Sequence, residues 1–150
     1  VLFRSAIWAD GNRLSDPAYR ETAVKFVAAS IQGWAFCRDN AEACRDIVVA
    51  KGSKLGASHQ LWQMNEVNKL IWPSAMGAGM IDQAAWDRTA TLAQETKNLE
   101  GSTVLTAAPS ADAYTNDIVT EALALLTELG VDTTGSAYTP MEVTLNEGGN

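Results

Sequence analysis

A single histidine, His59, and two cysteines, Cys37 and Cys44, are all that 150 residues offer toward nucleophilic or metal chemistry. Base catalysis needs a side chain oriented by a partner. His59 stands alone beside Ser58 at the start of a helical stretch, where a surface or capping role is the plain reading. Two cysteines and one histidine match no standard zinc spacing. Gly77 and Gly79 form a lone GxG without a capped helix at the distance a dinucleotide or phosphate loop requires. The acids are scattered singly along helical stretches, as on solvated faces. The sequence therefore assigns no catalytic residue, no metal site and no cofactor.

Basic residues are also few. Eleven Lys and Arg against eighteen Asp and Glu give a net charge of −7, with no basic cluster to meet phosphates, so nucleic acid is not an expected partner. No apolar run approaches the roughly 20 residues a membrane-spanning helix needs, and no secretory signal is recognisable. Apolar residues make up 47% and charged residues 19%, a globular rather than a disordered balance. The length suits one domain with a hydrophobic core. Val1-Leu2-Phe3-Arg4-Ser5 resembles a translated sequencing-adapter remnant, so residues 1–5 are set apart. Residues 6–150 are expected to form a single incomplete domain of a larger protein.

What is present is helical periodicity with clear stops. Asp16-Pro17 predicts an N-cap and first helical residue, followed by an apolar row of Val24, Val27, Ala28, Ile31, Trp34 and Ala35. Gly33 within that row suggests close packing. A second helix is expected to start from a capping box of Asp39 and Glu42, to bury Cys44, Ile47 and Val48, and to end at Gly52. The short turn between these helices predicts an antiparallel hairpin. Ser58 is the expected cap of a third helix running over 58–72, stopped by Pro73. The small-residue stretch 73–79 reads as irregular, and Asp82 as the cap of a fourth helix, with Ile81 and Trp86 placed as a hydrophobic staple. Thr103-Val104-Leu105-Thr106 has strand composition, though an extended loop fits equally. A last helix should begin near Thr115-Asn116, bury two apolar rows and stop at Gly130. Val143-Thr144-Leu145 in the tail could form one short strand.

The third helix carries the candidate ligand chemistry. Leu61, Met64, Val67 and Ile71 make its core face, while Trp62, Asn65, Glu66 and Lys69 follow helical spacing on another. An aromatic plane beside amides and a carboxylate suits stacking plus directional hydrogen bonds to a polar heteroaromatic ligand. Packing of Trp62 with solvated polar neighbours is the competing explanation. Cys37 and Cys44 lack CxxC spacing and a surrounding βαβ pattern, which removes a redox pair. A disulfide across the hairpin and two reduced, buried thiols both remain open at this level.

Several stretches resemble the solute-binding family that serves thiamine-precursor, sulfonate, taurine and nitrate importers. The helix Phe26-Val27-Ala28-Ala29-Ser30-Ile31-Gln32-Gly33-Trp34, followed by Cys37-Arg38-Asp39-Asn40-Ala41-Glu42-Ala43-Cys44, resembles the family's helix pair, with Ala41 where the family often has proline. The stretch from Gly77 to Trp86 resembles its glycine-containing approach to an Asp-initiated helix, and Tyr114-Thr115-Asn116-Asp117 resembles the polar start of its last helix. The resemblance implies a mainly α fragment, the C-terminal portion of a two-lobed α/β periplasmic-binding-protein (type II) fold. It further implies a non-enzymatic, ligand-capture component of an ABC importer, monomeric when complete. Such a protein works in the periplasm or outside the cell, is often lipid-anchored, and delivers a small-molecule ligand to a membrane permease. In that setting Trp62, Asn65 and Glu66 would lie near the ligand, and oxidation would make Cys37–Cys44 a disulfide. Two alternatives stand beside this: a pyrimidine-synthase-like enzyme of the same superfamily, and a free-standing helical interaction domain.

Overall fold

In a computed structural model of the chain, residues 6–52, 54–146 and 148 are described. The adapter-like residues 1–5 lie outside them. A 3-10 turn at Gly11–Arg13 precedes five α-helices: α1 (Pro17–Asp39), α2 (Ala41–Lys51), α3 (Ala57–Ile71), α4 (Gln83–Glu95) and α5 (Asp117–Glu128).

Local chemistry explains where most of these helices start. The Asp16 carboxylate accepts from the backbone N–H groups of Ala18 (2.9 Å) and Tyr19 (3.4 Å), and Pro17 occupies the first turn, where its missing N–H costs nothing. Asp82 caps α4 by accepting from Ala85 N–H at 2.7 Å. Trp86 pairs its ring with Tyr114, centroids 4.7 Å apart, tying α4 to the approach to α5. The Asn116 side chain brackets the backbone of Ile81, accepting from its N–H at 3.0 Å and donating to its C=O at 2.9 Å. After α5, Gly130 takes φ of +72°, the left-handed conformation that ends helices.

The core lies between α1 and α5. Ala28 and Ile31 of α1 meet Val119, Ala122 and Leu126 of α5, joined by Trp72 and Ala78. Ala122 and Leu126 are almost wholly enclosed. The segment after α3 crosses this core with Gly79 at φ +91°, a conformation that favours glycine, and a Cβ there would crowd Val119 Cγ2 at 3.1 Å. Ala78 N–H donates to Thr133 C=O at 2.9 Å and Ser74 N–H to Thr134 C=O at 2.8 Å, fastening the crossing to the loop beyond α5. The second helix pair is α2 with α3.

Several expectations are corrected. The α/β expectation fails: among the described residues the fold is all-helical, with no strand and no sheet, so it is not a portion of a two-lobed α/β periplasmic-binding fold. At 103–106 only an isolated antiparallel bridge, Lys97 with Thr103, is present. It closes a turn in which Asn98 Oδ1 accepts from the N–H groups of Glu100 and Ser102. Val104 is 83% exposed, so its β-branched character finds no neighbouring strand to pack on. Residues 143–145 likewise carry no strand.

The capping details also shift. Asn40, not Asp39, is the N-cap of α2, because both Asp39 carboxylate oxygens are engaged by the Arg38 guanidinium at 2.7 and 2.9 Å. The N-cap of α3 is Gly56; Ser58 lies inside the helix, and its hydroxyl accepts from Asn146 N–H at 3.1 Å. Ile47 and Val48, expected inside, are exposed, which leaves Cys44 as the buried residue of α2. Gly33 faces open space, with nothing within 4 Å of a would-be Cβ.

Candidate functional site

The α3 helix and the segment that lies along it form the most polar interior region of the described chain. Asn65, expected near a ligand, is buried and spends both ends of its amide on one backbone residue: Oδ1 accepts from Met141 N–H and Nδ2 donates to Met141 C=O, each at 3.0 Å. The Tyr138 hydroxyl also points to Oδ1, at a long 3.4 Å. An asparagine side chain is thus acting as a peptide group, pinning residues 138–141 against α3.

The other two expected ligand residues are more open. Trp62 is 37% exposed, and its ring lies 5.7 Å from that of His59 at a tilt of 35°. Glu66 accepts from Lys69 Nζ at 2.6 Å and lies at the 3.5 Å limit from Asn65 Nδ2. The sequence spacing therefore brings Glu66, Lys69 and Asn65 into one hydrogen-bonded row, with Trp62 one turn earlier on the same helix.

The expected disulfide pair and residues that the sequence did not single out, Arg38 and Asp132 among them, complete the region. Cys37 and Cys44 are joined by a disulfide across the α1–α2 corner, with Cα atoms 5.5 Å apart, inside the usual range. Next to it, the side chain of Arg38 is 7% exposed yet fully occupied. Besides Asp39, its Nη1 donates to Asp132 C=O at 2.9 Å and lies 3.3 Å from the Asp132 carboxylate, and the guanidinium covers the Trp72 ring at 4.6 Å. Hydrogen bonding to Asp39 holds the Arg38 pKa above its ordinary value. Asp132 is held below the usual carboxylate range, first by the Gly135 N–H and the Thr134 hydroxyl, with the Arg38 charge contributing less. Gly135 has φ of +59° and a would-be Cβ only 2.6 Å from Trp72 Cε3, so the turn closes against the indole only with glycine there. Burial raises the Tyr138 pKa.

A local signal for part of this was present: Asp132-Thr133-Thr134-Gly135 is an Asp-initiated turn with a terminal glycine. Nothing local signals that Arg38 would meet Asp132 across 94 positions of sequence.

Two hollows bear on ligand capture. A recess of about 50 Å³ lies between Arg38, Asn65, Asn68, Tyr138, Thr139 and Met141. A wider, open groove of about 420 Å³ runs between α1 and α5 past Pro17, Val24 and Leu125. Its charged rim is already paired, Arg20 with Glu121 and Lys25 with Glu21. Among the described residues no three His, Cys, Asp or Glu side chains gather as a metal site, and no helix is long and apolar enough to cross a membrane. The region is arranged to hold segments together and to present Trp62 and Glu66 at its edge. Comparison with models of protein families, with curated proteins and with solved structures finds no match for this chain.

Proposed function

We propose that this chain belongs to the ligand-capture component of an ABC importer, working outside the cytoplasm on a small polar solute and handing it to a membrane permease. The observation that carries the reading is the Cys37–Cys44 disulfide, which staples the helix pair where the sequence resembles the solute-binding family. Structural disulfides persist in oxidising compartments. Two further devices lie in the other resembling stretches: the Asp82 cap of α4 and the Asn116 bracket on Ile81. The reading rests on these helical features, and it carries over none of the sheet architecture corrected above.

In this reading Trp62 supplies a stacking face and Glu66 a hydrogen-bond acceptor for the solute. Asn65 serves the site indirectly, by fixing the 138–141 segment beside them. The recess at Asn65 is too small for a solute, since small-molecule pockets run to about 300–1,000 Å³. The wider α1–α5 groove has its rim charges paired with one another and includes none of these residues, so this reading puts the solute at the exposed edge of α3.

The test uses the protein encoded by the whole open reading frame that carries this chain, exported and purified. A thermal-shift panel of a thiamine-precursor pyrimidine, taurine, an alkanesulfonate and nitrate is expected to yield at least one stabilising probe. Trp62→Ala and Glu66→Gln should each weaken that probe's binding about tenfold or more while leaving the fold intact. No stabilising probe in the panel, or full binding by both variants, would overturn the proposal.

A second reading has its own observation. Phe26, Ile47 and Leu70, on three different helices, leave large apolar side chains uncovered. That favours a helical domain that docks on other protein surface. It predicts self-association or partner binding of the chain in the absence of any solute.

A further inference from the structure

The outer face of α1 carries an apolar stripe that nothing among the described residues covers. Phe26 is 60% exposed and Phe36 48%, and Ala29 and Gly33 between them are exposed as well. At about 100° per residue these four positions share one side of the helix. That side lies opposite the buried Ala28, Ile31 and Ala35. The space outside Gly33 is open, with nothing within 4 Å of a would-be Cβ. Beside the stripe, the hydroxyls of Thr22 and Ser30 donate back to the helix carbonyls of Ala18 and Phe26, at 2.9 and 2.8 Å, so neither needs water. A helix that is apolar on two opposite sides packs on both.

The order of residues in the stripe identifies its occupant. Phe26, Ala29, Gly33 and Phe36 follow the three-four-three spacing of a helix–helix seam. The spacing is also a palindrome about Ile31: the two phenylalanines lie five residues to either side of it, and Ala29 and Gly33 two. A stripe that reads the same in both directions is self-complementary about a two-fold axis, as the isologous interface of a homodimer must be. Laid antiparallel on a second copy, Phe26 meets the partner's Phe36 and Ala29 meets the partner's Gly33. Small residues then let the helices approach at the centre, and aromatic rings close both ends. The same register sets Lys25 against the partner's Asp39 on one flank, and the two-fold axis makes that pair twice. Both charges are exposed at the rim, where Lys25 pairs with Glu21 and Asp39 with Arg38 within the chain. Their opposite signs favour the antiparallel orientation, whereas a parallel pair would set Lys25 against Ser30.

We propose that α1 is a homodimer interface, in which two copies pair antiparallel through Phe26, Ala29, Gly33 and Phe36. The dimer stands in place of the monomer that the family resemblance implies. The inference rests on the second reading above and names its surface and its occupant, and it leaves Trp62 and Glu66 outside the interface. One helix pair is a small interface, so a dissociation constant of about 10 μM is expected.

The test uses the protein encoded by the whole open reading frame, followed by sedimentation equilibrium across a concentration series and by zero-length carbodiimide cross-linking. The expected result is a concentration-dependent dimer containing a Lys25–Asp39 amide. Within one copy these residues stand about 21 Å apart along the helix, so that product can form only between copies. Gly33→Arg, placed where the fold leaves open space, should weaken the dimer at least tenfold and abolish the cross-link while keeping the helical circular dichroism. Leu70→Glu, on another exposed apolar residue, should leave the dimer intact. A dimer that survives Gly33→Arg, lacks the cross-link or is lost in Leu70→Glu would overturn the inference. So would a protein that stays monomeric, whether bare or with α1 covered by another part of the same polypeptide. Capture of a different protein by that monomer would leave the second reading standing without this one.

Discussion

The α1–α5 pair and the attachments around α2 and α3 are held by different physics. Between α1 and α5 the enclosed contact is apolar, with Ala28, Ile31, Val119, Ala122 and Leu126 interleaved, and the Arg20–Glu121 ion pair joins the two helices at the open rim. Burial of that kind is non-directional and scales with area. Around α2 and α3 the enclosed residues are Cys44, Asn65, Val67 and Asn68, and the fastenings run outward: a disulfide from α1 to α2, the Arg38–Asp132 bonds from α1 to the loop after α5, and the Asn65 clamp from α3 to Met141. Those fastenings are specific in geometry and each can be removed by one chemical change. The first pair is a core; the second is a set of stapled and hydrogen-bonded attachments that holds the candidate site.

The comparison should break most heavily at the core. Leu126, 1% exposed at its centre, is expected to cost about 3 kcal/mol when changed to Ala, from lost burial plus the cavity left behind. Urea unfolding should show the loss as a lower midpoint with an unchanged slope. Hydrogen exchange should accelerate in α1 and α5 together.

Removing the staple is the next effect in size. Closing the short loop between Cys37 and Cys44 contributes about 2–3 kcal/mol on the chain-entropy model. The double variant Cys37→Ser/Cys44→Ser should lose that amount. Its exchange should quicken most in α2, α3 and residues 132–141, and less in the α1–α5 core. Equal acceleration in both helix pairs would erase the distinction.

Asn65→Ala comes third. It leaves the N–H and C=O of Met141 without their partner, at about 1 kcal/mol, since Met141 is 39% exposed and water replaces part of the bonding. Proteolysis should then cut near residues 138–146 while the helical content persists.

The smallest effect is a pH dependence. Asp132 has a folded-state pKa below its unfolded value, so it stabilises the fold above the ordinary carboxylate pKa of about 4. That contribution disappears as the pH falls through the folded value. Asp132→Asn should flatten this acid limb and leave the limb above pH 5 parallel to wild type, as read by denaturant midpoints across pH.

The same contrast explains which features the sequence made legible. The starts of α1 and α4 could be read because Asp16-Pro17 and Asp82 act on N–H groups two or three residues away. Most of the α5 core face followed from its apolar spacing, with Gly130 marking its end, although Leu129 in the same row is 63% exposed. The strand composition at 103–106 misled because β-branched residues specify a strand only where a neighbour exists to pair with, and here a five-residue turn supplies one bridge. Asn65 was singled out for its amide, and that amide proved to serve the chain's own backbone 76 residues away. Arg38 was passed over because its partner Asp132 is more remote still, 94 residues away in sequence. Pairings of that length depend on how the helices pack, which no local pattern encodes.

The staple joins the physical account to the functional one, so its chemical state is the measurement that bears on both. The protein should be purified from its native host without reductant, its thiols trapped at lysis, then denatured, alkylated and weighed. The account predicts no alkylated cysteine, with Cys37 and Cys44 recovered as one linked peptide pair. Alkylation of both residues would contradict it, leaving the α1–α2 corner unstapled and removing the observation on which an extracytoplasmic role rests.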